Sequence, residues 1–505
     1  MNKNYYITTP IYYPSAKPHM GHAYTSIIAD FFARFKKIDG FDVHFLTGTD
    51  EHGQKVEKAS TESKMDTQDF VDKMSVSFRE LIPFLGCEIN DFIRTTENRH
   101  KKAAQALWNK LEENNQIYLS NYEGWYSIRD EAFYLESELI KKGDSFFTQS
   151  GDPVEWIKEE SYFFKLSSWE NKLLEYYKNN PNSIAPKSRY NEVISFIKGG
   201  LKDLSISRTT FKWGVKVPNN EKHVMYVWID ALCNYLTSIG YPDLDSKTFK
   251  DFWPGFHMVG KDILRFHAVY WPAFLMAAEI EPPKRIFAHG WWTNEGKKIS
   301  KSVGNVIDPY EIINKYGLDQ IRFFLFREVP FGNDGDFSKD AIANRLNADL
   351  SNNYGNLVQR ITTFCVKNCN SKIKNSSNYT KQDKDLIDFM NCKFDEYNKF
   401  MNEEKIDKSI KCVFELLSET NAYIDTEAPW NLKNTNKDRM NDVLFLTLNI
   451  IKNSSIMLIP VMPESANKIL DILNVNKIER NFDHITISTN DYKISDPKPI
   501  FPRID

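Results

Sequence analysis

Two histidines flank a glycine early in the chain, in the segment His19-Met20-Gly21-His22. The segment follows a strand-like stretch and a proline-rich loop, and it stands where an amphipathic helix begins. A helix N-terminus offers backbone N–H groups to phosphate, a glycine lets a flat base approach the backbone, and imidazoles add donors. The pattern predicts a nucleotide cradle without a Walker lysine. An ordinary helix start with two surface histidines would look the same.

A second cluster of chemically suitable residues is Lys298-Ile299-Ser300-Lys301-Ser302. It follows the last predicted strand, at 286–289, and glycines flank it. Two lysines in a mobile loop suit a negative charge that grows on a triphosphate during reaction. In a lysine-rich chain, however, a solvated surface loop is the alternative interpretation.

The elements around the first cluster form a βαβ pattern. Strands are predicted at 5–8 and 43–47, with a helix to residue 37 between them and a turn at Gly40. One helix face is apolar, and the βαβ pattern predicts a parallel sheet as the scaffold. The residues of this face are Met20, Tyr24, Ile27, Ile28, Phe31, Phe32 and Phe35.

Further along the chain the pattern changes twice. Residues 118–216 read as short aromatic strands with glycine turns and basic residues, which predicts an inserted domain. Strands at 224–229, 256–259 and 286–289 are expected to complete the sheet. Beyond Gly335, apolar stripes of helical period predict a helical bundle, and residues after 476 are expected to form a looser tail.

The composition is that of an ordinary globular protein. With 41% hydrophobic and 26% charged residues and no long apolar run, no membrane-spanning segment is predicted. The N-terminus lacks the apolar core of a signal peptide, so the cytoplasm is the expected compartment. The six cysteines show no paired metal-ligand spacing. A net charge of -3 requires any nucleic-acid surface to be a local basic patch.

The two clusters, in this order, resemble the HIGH and KMSKS signatures of class I aminoacyl-tRNA synthetases. Further segments narrow the resemblance to the methionyl-tRNA synthetases, over nearly the whole chain. These segments are Pro10-Ile11-Tyr12-Tyr13, Gly48-Thr49-Asp50-Glu51-His52-Gly53, Tyr226-Val227-Trp228-Ile229-Asp230-Ala231, and Gly260-Lys261-Asp262-Ile263 with Phe266-His267.

The resemblance implies an α/β fold with a Rossmann-type parallel-sheet catalytic domain, an inserted connective domain and an all-α anticodon-binding bundle. It places the two catalytic halves at 1–117 and 217–290 and the insertion at 118–216. The KMSKS loop and stem-contact region would span 291–337, and the helical domain with its tail 338–505.

By the same resemblance, Asp50 is expected to hold the α-ammonium group of methionine. Aromatic and aliphatic side chains would surround the thioether, and Tyr13 and His267 would place a weak donor near the sulfur. The implied pocket residues are Ile11, Tyr13, Trp228, Ala231, Leu232, Tyr235, Ile263 and His267. Without the motifs, the stripe at 228–235 would be interpreted as core packing.

For ATP, the resemblance places Asp262 at the ribose and His19, His22, Lys298 and Lys301 at the phosphates as catalytic residues. Gly21 and Ser300 complete the implied ATP site. The methionine carboxylate would attack the α-phosphorus and release pyrophosphate, with magnesium arriving on the ATP. The tRNA terminal hydroxyl would then attack the adenylate carbonyl.

Three residues of the helical half match the positions at which the family reads the CAU anticodon. They are Asn356, Arg360 and Trp430. An aromatic ring stacks on unpaired bases, while amide and guanidinium groups bond to base edges. The implied partner is tRNA(Met), in both its initiator and its elongator forms.

The chain departs from the family at the zinc knuckle. Many relatives carry Cys-x-x-Cys after a Gly-Trp-Tyr, whereas here Gly124-Trp125-Tyr126 leads to Ser127 and Asp130. The second pair would fall near 150–152. A zinc-free insertion with no metal ligands is therefore expected. The chain also ends without an appended dimerising domain, so a monomer is expected.

Three other readings use the same residues. The nearest is a class I synthetase for another amino acid, although valine, isoleucine or leucine enzymes usually carry a larger editing insertion. A tRNA-binding protein that has lost catalysis is another, which the intact motif residues oppose. A small nucleotidyltransferase would leave the helical half unexplained.

Overall fold

The computed structural model describes residues 3–127, 132–134, 136–226, 228–298 and 307–504, with only the backbone given for residues 122, 132, 133, 297 and 298. The chain divides into two compact units. The unit that holds the main sheet, here the sheet unit, comprises residues 4–18 and 43–289. The helical unit comprises residues 1–3, 19–42 and 290–505.

The strands follow one another from β1 to β19 along the described chain. They are β1 Asn4–Thr8, β2 Asp42–Thr49, β3 Asp91–Arg94, β4 Ile117–Ser127, β5 Ala132–Tyr134, β6 Ile140–Lys142, β7 Ser145–Phe147, β8 Glu155–Phe164, β9 Ile184–Ala185, β10 Leu204–Ser205, β11 Ser207–Arg208, β12 Val224–Met225, β13 Phe256–Gly260, β14 Arg285–His289, β15 Trp292–Asn294, β16 Lys297–Lys298, β17 Gly335–Phe337, β18 Lys372–Ile373 and β19 Tyr492–Lys493.

The α-helices are numbered in the same way. They are α1 Met20–Ile38, α2 Gln54–Glu62, α3 Thr67–Phe84, α4 Asn98–Glu113, α5 Glu170–Asn179, α6 Lys187–Lys198, α7 Ile229–Leu232, α8 Asn234–Thr237, α9 Lys247–Phe252, α10 Trp271–Ala277, α11 Pro309–Tyr316, α12 Leu318–Arg327, α13 Lys339–Arg345, α14 Asn356–Asn368, α15 Lys381–Asn402, α16 Ile406–Glu427, α17 Pro429–Leu432, α18 Lys437–Leu458 and α19 Pro463–Ile472.

The main sheet of the sheet unit has six strands in the order β3-β2-β1-β13-β14-β9. The pairs β1–β13, β13–β14, β14–β9 and β2–β3 are all parallel. The strands predicted at 5–8, 43–47, 256–259 and 286–289 are confirmed as β1, β2, β13 and β14. The sheet thus has the parallel arrangement that the βαβ pattern predicted.

The prediction of a sheet strand at 224–229 was wrong. Among the described residues of this range, which exclude 227, Val224 and Met225 alone are in strand conformation, and this β12 pairs with β11 rather than with the main sheet. The backbone of Trp228 has a φ of 58°, and α7 begins directly after it. An apolar run that is buried in a turn and a short helix has the same composition as a buried strand, so periodicity alone did not distinguish them.

An antiparallel sheet, in the order β10-β8-β4-β5, is formed by strands that lie between β3 and β13 in sequence, and the parallel strand β9 falls between β8 and β10 in the same interval. Its centre is a long ladder in which Ile117 to Tyr126 of β4 pair with Phe164 to Glu155 of β8. Antiparallel neighbours need only a short connection, unlike the crossovers of a parallel sheet. The strands β4, β5 and β8 are the aromatic strands that the composition of residues 118–216 indicated.

In the helical unit, all seven apolar residues predicted on one face of α1 are buried. Phe31 of α1 packs on Phe326 of α12, with ring centroids 4.7 Å apart. Helices α13 to α19 lie in the interval after Gly335 for which a helical bundle was predicted, and α11 and α12 precede it in the same unit. Among the residues that the structure describes, no helix is long and apolar enough to cross a membrane.

The tail after residue 476 is not loose, contrary to the prediction. Strand β19 pairs with β18, and the buried Lys452 donates hydrogen bonds to the carbonyl oxygens of His484 and Thr486, both at 3.0 Å. The polar composition of the tail gave no sign of this attachment, because Lys452 binds the tail through backbone carbonyl oxygens and not through an apolar stripe.

Candidate functional site

The strand order of the parallel sheet reverses between β1 and β13. Ligands of open α/β sheets bind in the crevice beyond the carboxyl ends of the strands at such a reversal. Ile11 and Tyr13 follow β1, and Asp262 and Ile263 lie in a single helical turn directly after β13. The topology therefore brings four of the sequence-predicted residues to the edge where a ligand is expected.

Asp50 lies at the same edge, directly after β2. The Tyr12 N–H donates to the carbonyl oxygen of Gly48 at 2.9 Å, and the Asp50 N–H donates to that of Tyr12 at 2.9 Å. A Cβ at Gly48 would collide with the backbone carbonyl of Ile93, so the close approach of β2 and β3 requires glycine here. These bonds hold the backbone of Asp50, and the residue is 7% exposed.

An aromatic wall is built from the turn that precedes α7. The left-handed backbone at Trp228 aims its ring at Phe266, with centroids 4.0 Å apart and planes 13° apart. The Trp228 ring also contacts His267 edge-on, at 5.8 Å. Ala231 and Leu232, on the short helix that follows, are buried. The predicted stripe thus forms a wall of packed aromatic and aliphatic groups.

Tyr235 and His267 are joined at the base of this wall. The Tyr235 hydroxyl lies 2.7 Å from His267 Nε2, and His267 Nδ1 lies 2.9 Å from the Ile263 carbonyl oxygen. A carbonyl only accepts, so Nδ1 carries the proton and Nε2 accepts from Tyr235. Burial lowers the pKa of His267 to about 4, so the ring is neutral near pH 7. Both ring nitrogens therefore have hydrogen-bond partners. The His267 N–H that was predicted to lie near a sulfur atom donates to the Ile263 carbonyl oxygen instead.

A second buried histidine supports the same tyrosine. The His257 ring stacks on Tyr235 with centroids 4.1 Å apart, and its Nδ1 lies 2.8 Å from Thr8 Oγ1. Trp271 Nε1–H donates to His257 Nε2 at 3.3 Å, which fixes the neutral tautomer with its proton on Nδ1. Burial lowers the pKa of His257 well below its ordinary value. Sequence analysis did not identify His257, because it lies inside a strand.

The burial of His267 predicts a pH-dependent stability. The pKa of His267 is about 4 in the folded chain and 6.5 in the unfolded chain. Between these pH values the unfolded chain binds a proton at His267, whereas the folded chain does not. Stability is therefore full above pH 6.5 and falls as the pH is lowered towards 4, by about 2 kcal/mol at pH 5. We expect the urea-unfolding midpoint of His267→Gln to approach or overtake that of the wild type between pH 7 and 5, because glutamine does not titrate.

The control for this measurement is Asn490→Gln, since Asn490 is exposed and neither amide side chain titrates. That variant should keep a constant offset from the wild type over the same pH range. A constant offset for His267→Gln as well would contradict the burial argument.

In the helical unit, His19 and His22 cap the N-terminus of α1. The Gly21 N–H donates to His19 Nδ1 and the His19 N–H donates to His22 Nδ1, each at 3.1 Å. The two rings stack with centroids 3.9 Å apart. A Cβ at Gly21 would lie 2.9 Å from His19 Cε1, so the ring needs a glycine there. The histidines form a capping box.

This capping box differs from the free helix N-terminus that the sequence pattern predicted. The Met20 N–H bonds to the Ile307 carbonyl oxygen at 3.1 Å, and the His22 N–H bonds to that of His19 at 3.0 Å. The first backbone N–H groups of α1 therefore have acceptors within the protein. Because both Nδ1 atoms accept, a neutral imidazole at either position carries its proton on Nε2.

The second cluster begins in a hairpin of the helical unit. Strand β15 pairs with β16, which ends at Lys298, and in parallel with β17. Trp292 of β15 packs edge-on against Tyr24 of α1, with centroids 5.8 Å apart. This packing ties the hairpin to the helix that His19 caps. Ser300 and Lys301 lie outside the described residues, and of Lys298 only the backbone is described.

The three residues predicted to read a base triplet share one surface of the helical unit. Asn356 and Arg360 lie one turn apart on α14, and the Arg360 guanidinium is 5.4 Å from the ring centroid of Trp430. Arg360 Nη1 also lies 3.1 Å from Asp425 Oδ1. Trp430 is 36% exposed. An exposed aromatic ring and an exposed amide beside a partly buried guanidinium suit unpaired bases.

The second predicted knuckle position is a turn closed by its own side chains. Ser150 Oγ donates to Asp152 Oδ2 at 2.9 Å, and the Asp152 N–H donates to Thr148 Oγ1 at 3.1 Å. Hydroxyl groups held in this way do not fit a structural zinc site, which takes thiolate or imidazole ligands. Within the described ranges no group of three His, Cys, Asp or Glu side chains is arranged to hold a metal. Asp130 lies outside those ranges.

Two family models match the chain. The model for class I (M) tRNA synthetases matches residues 5–362, and the model for the anticodon binding domain of methionyl tRNA ligase matches residues 373–495. The chain is 54% identical to the methionine–tRNA ligase of Rickettsia conorii, over 100% of both chains. It is 48% identical to that of Brucella suis, over 99% of this chain and 98% of the other.

A solved structure agrees with these relatives. The Mycobacterium tuberculosis methionyl-tRNA synthetase in complex with methionyl-adenylate superposes with a TM-score of 0.96 at 45% identity. The superposition covers 99% of this chain and 100% of that one. The likeness therefore extends over the parallel sheet, the antiparallel insertion and the helical bundle alike.

A parallel sheet with site residues at its reversal point, an inserted antiparallel sheet and a following helical bundle define a class I aminoacyl-tRNA synthetase. The histidine-capped helix and the lysine-bearing hairpin complete that definition. Within this class, the chain belongs to the methionine–tRNA ligase family.

Proposed function

We propose that this enzyme activates L-methionine with ATP and transfers the methionyl group to the 3′ end of tRNA(Met). The observation that carries the proposal is the set of side chains that meets at the reversal point of the sheet. There a buried carboxylate, Asp50, lies at the same sheet edge as Ile11, Tyr13 and Ile263, and the aromatic wall built on Trp228 lies in the same unit. One fixed negative charge together with an apolar chamber suits an α-ammonium group and an unbranched side chain.

In this pocket, the thioether would lie against Trp228, Ala231 and Leu232. Tyr235 is held rigidly, because its hydroxyl donates to the neutral His267 and its ring stacks on His257. A rigid apolar wall favours the polarisable sulfur and has no polar partner for a hydroxylated side chain. His267 therefore acts by holding Tyr235 and not by donating to sulfur.

The proposed activation step is an in-line displacement. A methionine carboxylate oxygen attacks the α-phosphorus of ATP, and the bond to pyrophosphate breaks. Asp262 would bind the ribose, while His19, Gly21, His22, Lys298, Ser300 and Lys301 would stabilise the phosphate charge. Magnesium enters with the triphosphate. The tRNA terminal hydroxyl then attacks the adenylate carbonyl and AMP leaves.

The division of labour along the chain follows the family pattern. Residues 1–117 and 217–290 would carry activation, 118–216 would form the connective insertion, and 291–337 would hold the KMSKS loop and the stem contact. Residues 338–505 would read the anticodon through Asn356, Arg360 and Trp430, whose side chains share one surface. The proposed partners are the initiator and elongator forms of tRNA(Met).

We further propose that the enzyme is a monomer that needs no structural zinc. The self-bonded turn at 148–152 supports the second point, since hydrogen bonds replace the ligands there. The proposed compartment is the cytoplasm, where the tRNA substrate is used.

The proposed function is tested by amino-acid-dependent exchange of pyrophosphate into ATP. Each of the twenty amino acids is assayed separately without tRNA, before and after a zinc chelator that leaves magnesium in place. We expect exchange with methionine alone and no effect of the chelator. Exchange with another amino acid would overturn the pocket assignment, and chelator-sensitive exchange would overturn the zinc-free insertion.

The proposed anticodon surface predicts a selective loss of charging. In Trp430→Ala, we expect kcat/KM for tRNA to fall about 10–100-fold, because stacking on a base contributes about 1–3 kcal/mol. Pyrophosphate exchange without tRNA should be unchanged, and Trp430→Phe should keep part of the charging activity. Ile478→Ala, at an apolar residue that is 74% exposed, is the matched control. Equal losses in exchange and charging would contradict the assignment.

A further inference from the structure

Asp230 lies buried in the sheet unit between two histidines. Its Oδ2 is 2.7 Å from His52 Nδ1, and its Oδ1 is 2.7 Å from His100 Nε2. All three residues are at least nine-tenths buried. None of the three belongs to the residues to which the methionine or ATP contacts were assigned above. The cluster therefore needs a separate explanation.

The Asp230 carboxylate determines which nitrogen of each histidine ring carries a proton. A carboxylate only accepts hydrogen bonds, so His52 must carry a proton on Nδ1 and His100 a proton on Nε2. Burial alone would raise the pKa of Asp230, but the two imidazoles more than offset it and hold the pKa well below its ordinary value. The carboxylate is thus ionised, and each of its oxygens has one imidazole partner.

The three residues come from three separate parts of the sheet unit. His52 lies two residues beyond Asp50, in the loop after β2, and His100 is on α4. Asp230 is in the first turn of α7, two residues after Trp228. The loop of His52 is braced further by Trp213, whose Nε1–H donates to the Glu51 carbonyl oxygen at 2.6 Å.

We propose that Asp230 is a positioning residue that sets the distance between Asp50 and the aromatic wall at Trp228. The inference rests on the proposed function, in which these two residues hold opposite ends of methionine. Short charge-assisted hydrogen bonds join the two segments more stiffly than the apolar contacts around them. Asp230 acts through these bonds and not by contact with the substrate.

This role predicts a specific kinetic signature in methionine-dependent exchange. In Asp230→Asn, the introduced amide would accept from only one ring, because its nitrogen is a donor. For this variant we expect the KM for methionine to rise about 10–100-fold, while the KM for ATP changes less than about 2-fold. A merely structural role would lower the amount of active enzyme and leave both KM values alone.

Two substitutions at His100, to leucine and to glutamine, test the same proposal if Asp230→Asn fails to fold. Glutamine can place a donor near the position of His100 Nε2, whereas leucine cannot. We expect His100→Leu to raise the KM for methionine about 10-fold and His100→Gln to stay within about 3-fold of the wild type. Equal KM values in the two variants would overturn the proposal.

The wild-type enzyme separates this inference from the proposed function. Methionine-dependent exchange by the wild type with an unchanged KM in folded Asp230→Asn overturns the inference alone. A proportional rise in the KM for ATP also overturns it, since the effect would not be confined to methionine. No methionine-dependent exchange by the wild type overturns the proposed function, and the inference with it.

Discussion

In Asp50→Asn, kcat/KM for methionine in pyrophosphate exchange is expected to fall about 100–1000-fold. Asparagine has the same shape but no charge, so the α-ammonium group of methionine would enter the pocket without a counter-charge. Removing one partner of a buried charge pair costs about 2–5 kcal/mol. Asp50 is 7% exposed, so water can replace little of that loss.

The loss in Asp50→Asn should be confined to methionine. The KM for ATP should stay near its wild-type value, because Asp50 is assigned to the amino acid. Asp245→Asn is the matched control, since its side chain is 93% exposed and lies in the same unit. If Asp50→Asn lowered kcat at saturating methionine and left the KM for methionine unchanged, the residue would have another role.

The second large effect is expected from a buried ion pair in the helical unit. Arg322 Nη2 on α12 lies 2.7 Å from Asp30 Oδ2 on α1, and both side chains are fully buried. The same guanidinium donates to the carbonyl oxygens of Pro460 and Val461, each at 3.0 Å. In Arg322→Met, these two carbonyls lose a donor and Asp30 loses its bond to the guanidinium, while Arg34 Nε still donates to Asp30 Oδ2.

We expect Arg322→Met to lose about 3–5 kcal/mol of unfolding free energy, because it removes one partner of a fully buried ion pair. The urea midpoint of the full chain measures the loss. Lys468→Met, in a pair with Glu464 that is more than half exposed, should cost less than about 1 kcal/mol.

The double variant Asp30→Leu/Arg322→Met provides the sharper test of this explanation. It removes both charges together, so it should recover part of the stability that Arg322→Met loses. A double variant that is less stable than Arg322→Met would show that packing volume, and not the unpaired charge, dominates.

Periodicity predicted the elements with long, regular patterns and missed those without them. Helix α1 was predicted because seven apolar residues recur on one face, and all seven are buried. Strand β3 has four residues and β9 has two, so neither contains enough alternation to be recognised. Both are defined by hydrogen bonds to neighbouring strands, which come from distant parts of the chain.

The candidate site shows the same division. Asp50, Trp228 and His267 were identified from short motifs, whose residue types and order are local properties. The hydrogen bonds that link His267 to Tyr235 and to Ile263 could not be predicted, because they depend on which atoms come together after folding. For the same reason, the backbone N–H groups at His19 were expected to be available, whereas the folded protein uses them in a capping box.

The sequence by itself determined the class of enzyme, the main strands and helices, and most of the residues assigned to the substrates. These follow from local composition, spacing and motif order. Only the tertiary structure decided that Asp230 joins His52 and His100, that His267 is neutral and occupied, and that Lys452 secures the tail. Hydrogen-bond partners and pKa values depend on distances and burial, and these arise only when segments far apart in the chain pack together.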